Sequence, residues 1–213
     1  MSLDSLHPLF RGLAPPEAIL VSRDPRRDPP VGTVEEEALV SRAILKRKNE
    51  FRAGRLCAHD ALATLGVPFQ PLLTGPDREP VWPSGMVGSI SHSNVLCVAA
   101  AARQSELRAI GIDTEMDEAL SDALIPKICT DREAARGMHK QVFSAKEATY
   151  KCLHPIVKKF FGFHAAEVEF AGDEFEVTLV VDLPPYTRGA RFRGKHRTEG
   201  GLIATVLSVP IER

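Results

Sequence analysis

Three short apolar stretches follow one another so closely that they restrict what this chain can fold into. Residues 87–93 read VGSISHS, residues 95–102 read VLCVAAAA, and residues 107–115 read LRAIGIDTE. Each has the length and β-branched or small-residue character of a strand. The first two are separated by a turn at Ser93-Asn94, and the third follows after a few residues. Parallel neighbours need a crossover of about a dozen residues or more, so the spacing predicts an antiparallel meander and excludes βαβ units.

Helical patterns surround these strands. Thr33, followed by Glu35, Glu36 and Glu37, has the form of an N-cap with acids in the first turn. The pattern runs to Leu65, with a break expected near residues 46–49, and Gly66 ends it. Ile44, Phe51, Ala58, Leu62 and Leu65 recur at helical spacing and predict the buried stripe, flanked by Arg47, Lys48, Arg52 and Arg55. Further helical signals cover residues 117–137, with a second start at Thr130-Asp131. A stronger helix is expected over 142–159, with a kink or stop at His154-Pro155. Residues 168–170 and 175–181, joined at Gly172-Asp173, predict a hairpin, and residues 202–209 a last strand. The order is helix then strands, twice over. It predicts an α+β fold in which residues 1–213 form one domain of two similar lobes, about 1–107 and 108–213, joined near residues 104–108. Residues 22–30 read as a surface loop, and residues 72–83 as a turn-rich segment holding the single tryptophan, Trp82.

The net charge of −1 gives no global field for nucleic acid or an anionic membrane. The longest apolar run, 95–102, is far too short to span a bilayer, and the first ten residues lack the form of a signal peptide. The four cysteines at 57, 97, 129 and 152 are widely spaced without a metal-binding pattern. Buried free thiols in a cytoplasmic protein are expected.

Four places carry possible chemistry. In AIGIDTE, Asp113 and Glu115 are two apart on a strand and project to one face. Adjacent carboxylates near a core are costly without a cation between them, and Mg²⁺ is the common answer; a solvated acidic turn is the plainer one. In FSAKEATYK, Glu147 and Lys151 share a helix face with Lys146 beside them, a spacing that equally describes a surface ion pair. In SISHS, Ser91 and His92 stand at a strand end where they could donate to a phosphate, or simply be satisfied polar residues. The basic run from Arg47 to Arg55 is either a solvated helix face or a phosphate grip.

Taken in order, the basic helix KRKNEFRAGR, then REPVWP, SISHS, GIDTE and FSAKEATYK resemble the phosphopantetheinyl transferases of the surfactin/enterobactin-synthase type. GID-x-E followed about thirty residues later by FS-x-KE-x-x-x-K is the specific part of the match, which covers roughly residues 40–155. The resemblance implies two pseudo-symmetric lobes, each with a helix packed on a small, mainly antiparallel sheet, in a monomer with coenzyme A in the cleft between them. It implies transfer of 4′-phosphopantetheine from coenzyme A to a serine of an apo carrier protein (acyl, peptidyl or aryl), leaving adenosine 3′,5′-bisphosphate. Siderophore, non-ribosomal peptide or polyketide synthesis is the implied setting.

By the same resemblance Asp113, Glu115 and Glu147 hold Mg²⁺, with Mn²⁺ as the alternative ion. Glu147 and Lys151 are then catalytic, Glu147 as base and Lys151 on the phosphate. Arg47, Arg55, Arg78, Ser91, His92, Lys146 and Lys151 bind coenzyme A. Residues 154–163, HPIVKKFFGF, are either a docking surface for the carrier or core. Asp113→Ala is expected to remove activity with little loss of fold. Three competitors are a non-catalytic coenzyme A or nucleotide-binding module, a Mg²⁺-dependent phosphohydrolase, and a nucleic-acid binder built on the basic helix. The intact set of acids and lysine speaks against the first of these.

Overall fold

A computed structural model describes residues 6–211. A 3₁₀ turn at Pro8–Phe10 leads into β1 (Ile19–Arg23), α1 (Val34–Leu39) and α2 (Leu45–Thr64). Then come β2 (Met86–His92), β3 (Cys97–Arg103) and β4 (Leu107–Met116). Two short helices, α3 (Ile125–Ile128) and α4 (Asp131–Ala134), precede the long α5 (His139–Val157). The chain ends with β5 (Ala166–Ala171), β6 (Glu174–Leu179), β7 (Arg191–Glu199) and β8 (Leu202–Pro210). The class is α+β, as expected.

Thr33 caps α1 with a full capping box, its hydroxyl on the Glu36 N–H and the Glu36 carboxylate on the Thr33 N–H. The break in the first helical region lies at residues 40–44, ahead of the expected position, and α2 then runs unbroken. The expected stripe is only partly the buried one. Ile44 is exposed, and α2 instead buries Ala53, Gly54, Cys57, Ala58, Ala61 and Leu62. Small residues let the helix axis lie close to the sheet, which a stripe chosen for large apolar side chains overlooks.

Strands form two antiparallel sheets. The first has the order β1-β3-β2 and the second β4-β8-β7-β6-β5. The expected meander therefore stops after two strands, because β4 leaves β3 and pairs with β8, from Leu107 opposite Pro210 to Met116 opposite Leu202. β4 is buried on both faces from Ala109 to Thr114, so it needs cover on both sides. Toward α5, Ala109 joins a core with Ala145, Cys152, Leu153, Phe175 and Leu207. On the opposite face Ile110 and Ile112 meet Val98, Ala100 and Ala102 of β3, and Leu9 and Phe10 from the N-terminal turn join them. The layers thus run α2, first sheet, second sheet, α5. β3 is sandwiched between α2 and the second sheet, which accounts for its alanines. Arg197 of β7 holds the N-terminal turn through the carbonyls of Pro8, Leu9 and Arg11 at 3.0–3.3 Å.

The hairpin β5-β6 forms as expected, with Val168 opposite Val177. The sequence reading passes over β7. Its inward residues are Phe192, Gly194 and His196, alternating with arginine and lysine, so the period of two carries almost no hydrophobic signal. All four cysteines are buried free thiols, as expected. Among the described residues no helix is long and apolar enough to cross a membrane.

Candidate active site

The site forms where the free edge of β4 meets β2 and α5 packs on β4, with Lys151 reaching across to Ser91 of β2. No backbone ladder joins β2 to β4. Ser89 Oγ accepts the Ile112 N–H at 3.1 Å and Ser91 Oγ accepts the Thr114 N–H at 3.3 Å. Two serine hydroxyls therefore stitch the sheets together where a strand pair would otherwise leave buried donors unmet.

Gly111 brings α5 onto β4. A Cβ there would lie 1.9 Å from the Ala148 carbonyl oxygen and 2.6 Å from the Cys152 nitrogen. Helix backbone thus rests directly on strand backbone. One residue pair further along the same face of β4, Asp113 receives Lys151 Nζ at 2.6 Å and the Ser91 hydroxyl at 2.8 Å on one oxygen, and the Ser144 hydroxyl at 2.9 Å on the other. Lys151 also reaches Ser91 Oγ at 3.0 Å. Asp113 is buried, and a buried carboxylate needs such partners. Glu115 follows on the same face and takes Lys140 Nζ at 2.6 Å.

Glu147 differs from these two. It is half-buried one turn from Lys151, yet among the described residues its carboxylate makes no hydrogen bond or ion pair. Burial pushes its pKa up, opposed by the charge of Lys151 and reinforced by Asp113 and Glu115. Glu115 is likewise pushed up, first by burial and then by Asp113, against the pull of Lys140.

Among the described residues no group of three His, Cys, Asp or Glu side chains is placed to hold a metal ion. Lys151 and Lys140 already lie on two of the expected ligands. The donor chemistry nevertheless suits Mg²⁺. All three groups are carboxylates, and burial first, then the neighbouring acids, push the pKa of Glu115 and of Glu147 up, so a cation among them would relieve both costs.

Across the seam, His92 Nε2 lies 2.5 Å from Arg47 Nη1, with Glu50 3.6 Å from its Nδ1. A guanidinium only donates, so Nε2 accepts and the ring is neutral. Burial and Arg47 both lower the His92 pKa accordingly. Arg55, two turns along α2 from Arg47, is buried with its Nε unpaired and its guanidinium over the Phe51 ring at 4.6 Å. Burial brings its pKa down to about 10. It lines a cavity of about 300 Å³ with Thr33, Phe51, His59 and Phe69. Arg78 is exposed, with its backbone in the left-handed region at φ 67°.

Two of the residues expected to bind coenzyme A are hydrogen-bonded within the protein. Lys146 lines the slot beside Glu147 with its stem, while its ammonium is buried on Glu133 at 2.7 Å and the Ile128 carbonyl at 2.8 Å. Ser91 is buried and taken up by Asp113, Lys151 and the Thr114 N–H, so its hydroxyl serves the seam. Lys140, Ser144 and Glu50 were not singled out from the sequence. Lys140 and Ser144 fall at helical spacing with Glu147 and Lys151, so the face they share was the available signal.

Beside Glu147 opens a slot of about 270 Å³ lined by Glu147 and Tyr150 on α5 and by Phe160, Phe161, Phe163 and Ala166 on the returning chain. The segment of undecided role divides here. Phe161 and Phe163 pack partly against the cores, whereas Phe160 is 75 % exposed.

Comparison with known proteins adds the following. Residues 35–102 match the model of the 4′-phosphopantetheinyl transferase N-terminal domain, and residues 109–204 that of the 4′-phosphopantetheinyl transferase superfamily. The chain is 36 % identical over 202 residues to 4′-phosphopantetheinyl transferase PptT of Mycobacterium tuberculosis, covering 84 % of this chain and 88 % of that one. It is 34 % identical over 199 residues to 4′-phosphopantetheinyl transferase Svp of Streptomyces mobaraensis, covering 85 % and 81 %. Enterobactin synthase component D of Salmonella typhimurium is 36 % identical over 135 residues, covering 58 % and 55 %.

Proposed function

The chain belongs to the 4′-phosphopantetheinyl transferase superfamily, and from that premise we propose that it moves 4′-phosphopantetheine from coenzyme A to a serine hydroxyl of an apo carrier protein. The serine oxygen forms a bond to the β-phosphorus of coenzyme A. The bond from that phosphorus to the bridging oxygen breaks, and adenosine 3′,5′-bisphosphate leaves with the electron pair. The observation that carries the assignment of roles is Glu147. Of the three clustered carboxylates it alone has no hydrogen-bonded partner, and it stands at the rim of an apolar slot. A carboxylate whose pKa burial has raised is a better base than an ordinary one, so Glu147 accepts the serine proton. Lys151 offsets charge on the departing bisphosphate, and Asp113 with Ser91 holds the Lys151 ammonium in place.

Asp113, Glu115 and Glu147 are the residues that would hold Mg²⁺. When bound, the ion supplies neutralisation of charge on the pyrophosphate oxygens. Arg55 and its cavity suit the nucleotide end, since a buried guanidinium with its Nε unbonded, and Glu36 near it but not paired with it, can take a phosphate, and Phe51 and Phe69 offer aromatic faces. Arg47, His92 and Arg78 complete this grip. The slot at Phe161 suits the pantetheine arm, and exposed Phe160 with Lys158 and Lys159 suits an acidic, amphipathic carrier surface. We read the two sheet-and-helix halves as two lobes meeting near residues 104–108, with coenzyme A between them. Enterobactin synthase component D as a relative favours a role in siderophore or related peptide and polyketide synthesis.

Intact-mass measurement of an apo carrier protein with coenzyme A, Mg²⁺ and this protein tests the reading. One added phosphopantetheine, absent with chelator and with Glu147→Ala, is expected. Coenzyme A binding without modification of several carriers would instead identify a binding module.

A further inference from the structure

Glu133 lies outside every motif discussed above. It is the third residue of the α4 turn and completes a capping box with Thr130. Like Glu36 of the α1 capping box, it is buried and bonds beyond its own helix. Its side chain is 2 % exposed, as is that of the lysine paired with it. Its Oε2 accepts both the Thr130 N–H at 2.7 Å and Lys146 Nζ at 2.7 Å, and its Oε1 accepts the Val168 N–H at 2.7 Å. Lys146 in turn reaches the Ile128 carbonyl at the end of α3. The Glu133–Lys146 pair therefore joins α3 and α4 to α5 and to β5.

The position of those bonds gives them a meaning beyond stability. The slot beside Glu147 has two walls. One is α5, through Lys146, Glu147, Thr149 and Tyr150; the other is the chain from Phe160 to Ala166 that leads into β5. Glu133 binds Lys146 on the first wall. It also accepts the Val168 N–H in β5, two residues beyond the end of the second wall at Ala166. No other side chain among the described residues is hydrogen-bonded to both α5 and β5. Replacing a buried paired charge by its neutral isostere leaves the partner charge uncompensated, so the clamp fails if either member changes.

We propose that Glu133 is a positioning residue that sets the separation of the two slot walls and the placement of Glu147 beside Lys146, and so governs how the pantetheine arm is held. This rests on the assignment of the arm to that slot. It acts on one end of coenzyme A alone, because the Arg55 cavity lies on α2 and shares no residue with the slot.

The test compares two ligands, coenzyme A and adenosine 3′,5′-bisphosphate, on the full chain by calorimetry. In wild-type protein coenzyme A should bind more tightly; equal affinities would refute the slot assignment itself and not the clamp. Glu133→Gln is expected to weaken coenzyme A by tenfold or more while changing adenosine 3′,5′-bisphosphate by less than twofold, and to raise KM for coenzyme A as kcat falls. The double variant Glu133→Gln with Lys146→Met removes both charges, so it leaves no unpaired ion in the core. It should fold and show the same selective loss, because methionine cannot restore the bridge. Unchanged coenzyme A affinity in either folded variant would overturn the proposal. So would parallel weakening of both ligands, or a double variant that does not fold, since each would make the pair a general structural element.

Discussion

Gly111→Ala puts the geometry of the site to its most direct test. The Gly111 backbone is not in the left-handed region, so alanine is conformationally acceptable there and would by itself stabilise by about 0.4–1 kcal/mol. The obstacle is steric. The new methyl would sit 1.9 Å from the Ala148 carbonyl oxygen, 2.6 Å from the Cys152 nitrogen and 2.8 Å from Cys152 Cβ. Ordinary contact begins near 3.4 Å, so α5 must retreat from β4 by about 1.5 Å, and backbone has no rotamer with which to yield. Overpacking of this kind costs about 1–3 kcal/mol and sometimes more. We expect a net loss of about 1–2 kcal/mol, or roughly 2–8 °C in Tm for a chain of this size. Lys151 lies between Ala148 and Cys152, and its ammonium is 2.6 Å from Asp113. The retreat carries Lys151 and Glu147 with it, and a displacement of about 1 Å costs about a hundredfold in turnover. Thermal unfolding followed by circular dichroism and carrier modification followed by intact mass, both on purified protein, measure the two effects. A Gly111→Ala protein with Tm within about 2 °C of wild type and turnover within about twofold would refute the close approach as the device that sets the site.

The remaining expectations concern charge. Asp113→Ala removes the acceptor of Lys151, Ser91 and Ser144 together, so the earlier expectation of little loss of fold is revised. Denaturant unfolding should show a loss of about 3 kcal/mol, as for breaking a buried pair. Arg55→Met should do the reverse to the ligand-free protein, raising stability by about 1 kcal/mol since the burial cost of a cation outweighs the attraction of nearby Glu36; coenzyme A affinity should fall by about tenfold or more in calorimetry. His92 is held neutral with its pKa below the ordinary value. The unfolded chain therefore binds more protons below about pH 6.5, and the His92 contribution, present above that pH, is lost as the pH falls through it. The Tm of His92→Asn should drop less than that of wild type between about pH 7.5 and 5.5; parallel pH profiles would remove His92 as the cause.

Certain features of this protein are settled by local order along the chain. The Thr33 cap, the strand character of residues 87–115 and the alternation that sends Asp113 and Glu115 to one face depend on neighbours a few residues away. The shared face of Glu147 and Lys151 likewise follows from helical period alone. Other features depended on distant partners. β7 escapes notice because Phe192, Gly194 and His196 acquire an inward face only when β6 and β8 flank them. Motif membership implies that Lys146 serves coenzyme A; what the motif does not carry is that Glu133 and Ile128, 13 and 18 residues away, hold its ammonium in the core. Ser91 is polar at a strand end in the sequence, and only the packing of two sheets without a ladder turns its hydroxyl into a seam. Periodicity reports which way a side chain points; what it meets there is decided by long-range packing, and for a charged group that meeting determines whether it binds substrate or holds the fold.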